Sequence, residues 1–146
     1  MKMIESDTVK LLRECDAGVK MGTKSINDVL EYTRAKELRG QLTKCLEEHD
    51  GLQNEITREL HRYNDIGKEP KLMAKGMSAV KTNVKMAMDE SDRTVADLIT
   101  DGCNMGVKSL NRYLNQYKAA DEVSKDIAKR LINLEEKLAV DIRGYL

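Results

Sequence analysis

The chain of 146 residues balances 25 Lys plus Arg against 25 Asp plus Glu, so no net field draws it to nucleic acid or to an anionic membrane. Trp and Phe are absent and five tyrosines are the only aromatics, which leaves few platforms for stacking bases or a flavin. Hydrophobic residues at 40%, with a single proline at Pro70, set the expectation of one all-α domain with a modest core.

Residues 1–7 alternate charged and apolar side chains, and no apolar run reaches membrane-spanning length. The expectation is a cytoplasmic protein without an export signal or membrane span. Cys15, Cys45 and Cys103 are odd in number and lack C-x-x-C spacing, so they read as reduced thiols and not as a disulfide framework or zinc knuckle.

Ser6 or Asp7 can cap a first helix in which Thr8, Leu11, Cys15, Gly18, Gly22, Ile26 and Val29 recur at helical spacing, ending near Ala35. Leu38, Leu42, Cys45, His49, Leu52, Ile56, Leu60 and Tyr63 predict a second helix over 37–66, stopped by Gly67 and Pro70. Met73, Met77, Val80, Val84 and Met88 then share one face of a crossover helix. Ser91 caps a third helix carrying Val95, Leu98, Gly102, Gly106, Leu110, Tyr113 and Tyr117. Asp121 caps a fourth, with Val123, Ile127, Leu131, Leu134, Leu138 and Ile142 as its apolar positions.

An internal repeat organises these elements. Gly18-Val19-Lys20-Met21-Gly22-Thr23-Lys24-Ser25-Ile26-Asn27 returns as Gly102-Cys103-Asn104-Met105-Gly106-Val107-Lys108-Ser109-Leu110-Asn111, identical at the two glycines, Met, Lys, Ser and Asn. With one residue of slack, Leu38, Leu42, Leu46 and His49 fall on Val123, Ile127, Leu131 and Leu134. The chain therefore divides into a hairpin at 6–66, a crossover at 67–90 and a second hairpin at 91–146. Short turns within each hairpin predict antiparallel helices, and the long crossover predicts a bundle-length connection.

This arrangement resembles the ferritin-like superfamily of four-helix bundles, in particular its small bacterial members with a helical crossover. The resemblance covers nearly the whole chain and rests on architecture. It implies a di-iron site built from a Glu on each of two helices and Glu-x-x-His on the other two. That set is missing here, because His49 and His61 follow Leu46 and Arg58 at the required spacing. A non-standard iron or zinc site would draw on His49, with Cys45 one turn away and Glu14, Asp101 and Glu135 flanking the core stripes. The metal candidates are thus His49, Glu14 and Glu135. Cys15 stands about 10 Å further along the bundle, too far to share them.

The plainer reading makes His49 and the cysteines core residues. The glycine pairs have two readings, close approach of helices one and three or a narrow cleft for a ligand. The crossover holds Lys68, Lys71, Lys75, Lys81 and Lys85 against Glu69, a local charge of +4, either solvated or docked on an acidic partner or lipid surface. No nucleophile elbow or phosphate loop is present. The sequence points to a non-enzymatic bundle with a structural or protein-interaction role and a protein partner or homodimerisation, without nucleic acid. A metal-binding bundle for iron oxidation or storage is the alternative.

Overall fold

The computed structural model describes residues 2–68, Met86 and residues 89–146. They form four long helices: α1 (Lys2–Leu30), α2 (Lys36–Arg62), α3 (Asp92–Gln116) and α4 (Glu122–Ile142), the last running into a short 3-10 turn at Arg143–Tyr145. Among the described residues there is no strand, and no helix is long and apolar enough to cross a membrane. The crossover helix expected from Met73 to Met88 lies outside the described residues, as do its lysines other than Lys68; Met86 is helical and buried.

Local chemistry accounts for the starts of two helices. The Ser91 hydroxyl accepts the Thr94 amide at 3.3 Å and Asp121 accepts the Ser124 amide at 2.8 Å, so α3 and α4 begin on side-chain caps. The first helix ends at Leu30, five residues before the expected Ala35, and the second ends at Arg62, four before Ile66. Neither stop comes from glycine or proline. Past α2 the chain turns out through Asn64 at φ 56, a left-handed conformation that Asn tolerates. After α1, the Asp92 carboxylate accepts the Arg34 and Ala35 amides at 2.7 and 2.9 Å. The matching end of the other hairpin is held from α1, where Asp7 accepts the Ala119 amide and the Thr8 hydroxyl the Asp121 amide, each at 2.9 Å.

These clasps set the directions of the helices. The start of α1 sits by the α3–α4 turn and the start of α3 by the α1–α2 turn. Each hairpin is antiparallel, and α2 and α3 point the same way. Tyr63, just past α2, donates to Asp121 at the start of α4, so α2 finishes at the end of the bundle opposite the start of α3.

The core divides into two apolar clusters. One gathers Leu11, Leu12, Cys15, Val19, Leu52, Ile56, Leu60, Ile127 and Leu131; the other gathers Ile26, Val29, Leu38, Leu42, Cys45, Met86, Val95, Ile99, Leu138 and Ile142. Each fully buried Leu or Ile contributes about 1.5–3 kcal/mol relative to exposure. Buried positions of α1 and α3 coincide at a spacing of 84: Leu11 with Val95, Leu12 with Ala96, Cys15 with Ile99, Val19 with Cys103, Ile26 with Leu110. Those of α2 and α4 coincide at 86, pairing Leu38 with Ser124, Leu42 with Ala128, Cys45 with Leu131, Leu52 with Leu138 and Ile56 with Ile142. At that spacing His49 corresponds to Glu135, one residue beyond the Leu134 that the sequence alignment gives.

Candidate functional site

Between the two apolar clusters lies a buried polar layer. His49 of α2 is 1% exposed and Glu135 of α4 8%, and His49 Nε2 stands 3.0 Å from Glu135 Oε1. Gly22 makes room for both. A Cβ there would fall 2.7 Å from His49 Nε2, inside any tolerable contact, and 3.4 Å from Glu135 Oε1, whereas one at Gly106 would meet the Glu135 carboxyl carbon at 3.7 Å, an ordinary van der Waals contact. Gly18 faces Leu131 at 3.6 Å, and Gly102 has nothing within 4 Å. Where the glycines of α1 and α3 have close neighbours, these are side chains of α2 and α4 and not each other. Closeness of α1 to α3 is not what these glycines serve.

The protons of the pair follow from its partners. His49 Nδ1 is 2.8 Å from the Cys45 carbonyl oxygen, which can only accept, so Nδ1 carries a proton. Nε2 faces a carboxyl oxygen, so a second proton lies on Nε2 or on Glu135. Burial disfavours the imidazolium, but the contacts of the ring with the Cys45 side chain and with Glu135 outweigh it and raise the His49 pKa from 6.5 to about 10. At neutral pH the layer is an imidazolium–carboxylate pair. Two thiols adjoin it: Cys45 Sγ lies 3.5 Å from Nδ1, and Cys103 faces Glu135, its thiol pushed up by burial and then by that carboxylate.

Of the three candidate metal ligands, the structure brings His49 and Glu135 together and leaves Glu14 apart. Glu14 lies eight residues before Gly22 on α1, about 12 Å along the axis. There it pairs with Lys68, whose ammonium it stabilises, and raises the Tyr113 pKa second to burial. Asp101 is on the exposed face of α3. Among the described residues, no three His, Cys, Asp or Glu side chains are grouped so as to hold a metal ion.

Sequence reasoning missed Asp16, which is 2% exposed. Its carboxylate accepts the Lys68 amide at 2.8 Å, Gln53 at 2.6 Å and the Lys20 ammonium at 2.8 Å, pinning the segment after α2 to α1. Gly67 there has φ +91, and a Cβ would fall 2.4 Å from Asp16 Oδ2. Asp65 accepts the Gly67 amide at 2.8 Å and pairs with Arg13, which holds its carboxyl below the usual range. The one signal in the sequence was Asp16 directly after Cys15, beside the apolar stripe.

The described surface carries a depression of about 250 Å³ between α2 and α4, walled by Gln41, Cys45, Leu134 and Leu138 with charged residues at its mouth. No protein-family model, curated protein or solved structure matches the chain.

Proposed function

We propose that this chain is a ferritin-like four-helix bundle that serves as a non-enzymatic structural or protein-interaction module in a bacterial cytoplasm. The observation that carries the reading is the closed polar layer. Both nitrogens of His49 are engaged by protein oxygens, one of them a Glu135 carboxyl oxygen, so among the described residues the histidine is already committed within the protein. Parallel α2 and α3 joined by one long connection support the ferritin-like assignment, as does the coincidence of buried positions between the two hairpins. Function then rests on the outer faces, towards a protein partner or a second copy.

The alternative, an iron- or zinc-binding bundle, draws support from the gathering of Cys45, His49, Cys103 and Glu135 at one level. Mass-spectrometric metal analysis separates the two, using untagged protein incubated with ferrous iron and zinc and then gel-filtered. Metal-free protein is the expected result. A stoichiometric metal that disappears in His49→Ala would replace the structural reading with the metal-binding one.

A further inference from the structure

We propose that the bundle end carrying the turn after α2 and the α3–α4 turn docks on an anionic lipid membrane, with Ile66 as the side chain that inserts. Ile66 is 96% exposed, against 70% for Met105 and 48% for Val123. The turn that presents it is tied down on both sides. Asp65 pairs with Arg13 and accepts the Gly67 amide, and buried Asp16 accepts the Lys68 amide. Gly67, at φ +91, lies so close to Asp16 that a Cβ has no room. The order that docking would otherwise have to impose is therefore already built in.

The charges around Ile66 present one sign to the outside. In the Arg13–Asp65, Lys68–Glu14 and Arg62–Glu59 pairs the cationic side chains are 44, 38 and 66% exposed, the carboxylates 12, 12 and 18%. A surface pressed on this end meets guanidinium and ammonium groups before the acids beneath them. The stretch 102–120 contains no acid, and its Lys118 is exposed in the α3–α4 turn. Asp7 and the Tyr63–Asp121 bond hold that turn at the same end, where Val123 adds a second exposed apolar side chain. An apolar tip among cations matches anionic headgroups over hydrocarbon, where apolar burial and electrostatic attraction add. Such a layer takes the tip without a preformed pocket. A second copy would need an apolar socket, and the depression between α2 and α4 is lined by Lys44, Glu48, Lys137 and Asp141 as well as its leucines. Because the whole chain is neutral, the attraction is local to this end and sets the orientation of the docked bundle.

The test is co-sedimentation of the native full-length chain with sucrose-loaded vesicles of equimolar phosphatidylglycerol and phosphatidylcholine, beside vesicles of phosphatidylcholine alone. Retention on the anionic vesicles at low salt, lost as salt is raised, is the expected result. Ile66→Ser should weaken it at least about tenfold while keeping the urea midpoint of the parent. Arg62→Gln and Lys118→Gln should weaken it roughly fivefold each. The chain has no tryptophan, so Ile66→Trp and Met105→Trp each carry a single fluorescent reporter. On the anionic vesicles Ile66→Trp emission should shift to the blue and be quenched by brominated lipid, while Met105→Trp, at the level of the buried polar layer, stays unchanged. Absence of retention on the anionic vesicles, or equal retention of Ile66→Ser, would overturn the proposal. So would an equal response from Met105→Trp, which means docking by another face, or an Ile66→Trp blue shift that grows with protein concentration without vesicles, the mark of a second copy.

Discussion

Gly22 and Gly102 occupy the same helical chemistry in different surroundings, and their alanine variants should move stability in opposite directions. At Gly102 a methyl group meets open space, so Gly102→Ala gains helix propensity and should stabilise by roughly 0.5–1 kcal/mol. At Gly22 the same methyl drives into His49 Nε2 and displaces the ring from Glu135, for a net loss of about 1–3 kcal/mol. Urea unfolding of the two variants checks both signs. The glycines stood out in the sequence as a repeated pair, but their purpose did not, since Gly22 makes room for side chains of helices more than twenty residues away. His49 and Glu135 were each visible on or beside an apolar stripe. Their partnership was hidden because the leucines of the fourth helix suggest Leu134 as the facing position.

Helix starts were legible where the cap is local and helix ends were not where the stop is tertiary. Ser91 and Asp121 sit directly before their helices and accept amides three residues on, as their residue types predict. The end of α1 depends on Asp92, 58 residues beyond Arg34 in the chain, and nothing near Leu30 announces it. Asp92→Ala removes the acceptor of two backbone amides at once and should cost about 1–3 kcal/mol, measurable by thermal or urea unfolding. Hydrogen exchange in that variant should rise at Arg34 and Ala35 while the amides around Ala119, held by Asp7, keep their protection. Removal of the exposed Lys137–Asp141 pair, by contrast, should leave the urea midpoint where it is, because solvent screens the two charges.

Across the whole molecule, the buried pair joins two apolar clusters contributed by both hairpins, and its energetics are those of a desolvated ion pair. Removing one partner leaves the other charged and uncompensated, so His49→Leu or Glu135→Leu should destabilise by about 3–5 kcal/mol. The double replacement by leucine should recover most of that loss, and a double-mutant cycle by urea unfolding measures the coupling. Linkage gives a second signature. The folded state raises the His49 pKa from 6.5 to about 10, so the folded chain binds the proton more tightly. The stability this contributes is fully present below about pH 6.5 and is lost as pH rises through about 10. Urea midpoints between those limits should fall with pH, and the slope should shrink in the double leucine variant, where no imidazole is left.

The state of the His49 ring decides between a closed layer and a binding site, and nitrogen-15 NMR of the imidazole at pH 7.5 reads it directly, before and after one equivalent of zinc. A closed structural layer predicts that both nitrogens carry protons and that neither resonance moves on adding zinc. A ring nitrogen that is unprotonated in the free protein and shifts when zinc is added would contradict it, and would make the middle of the bundle a binding site.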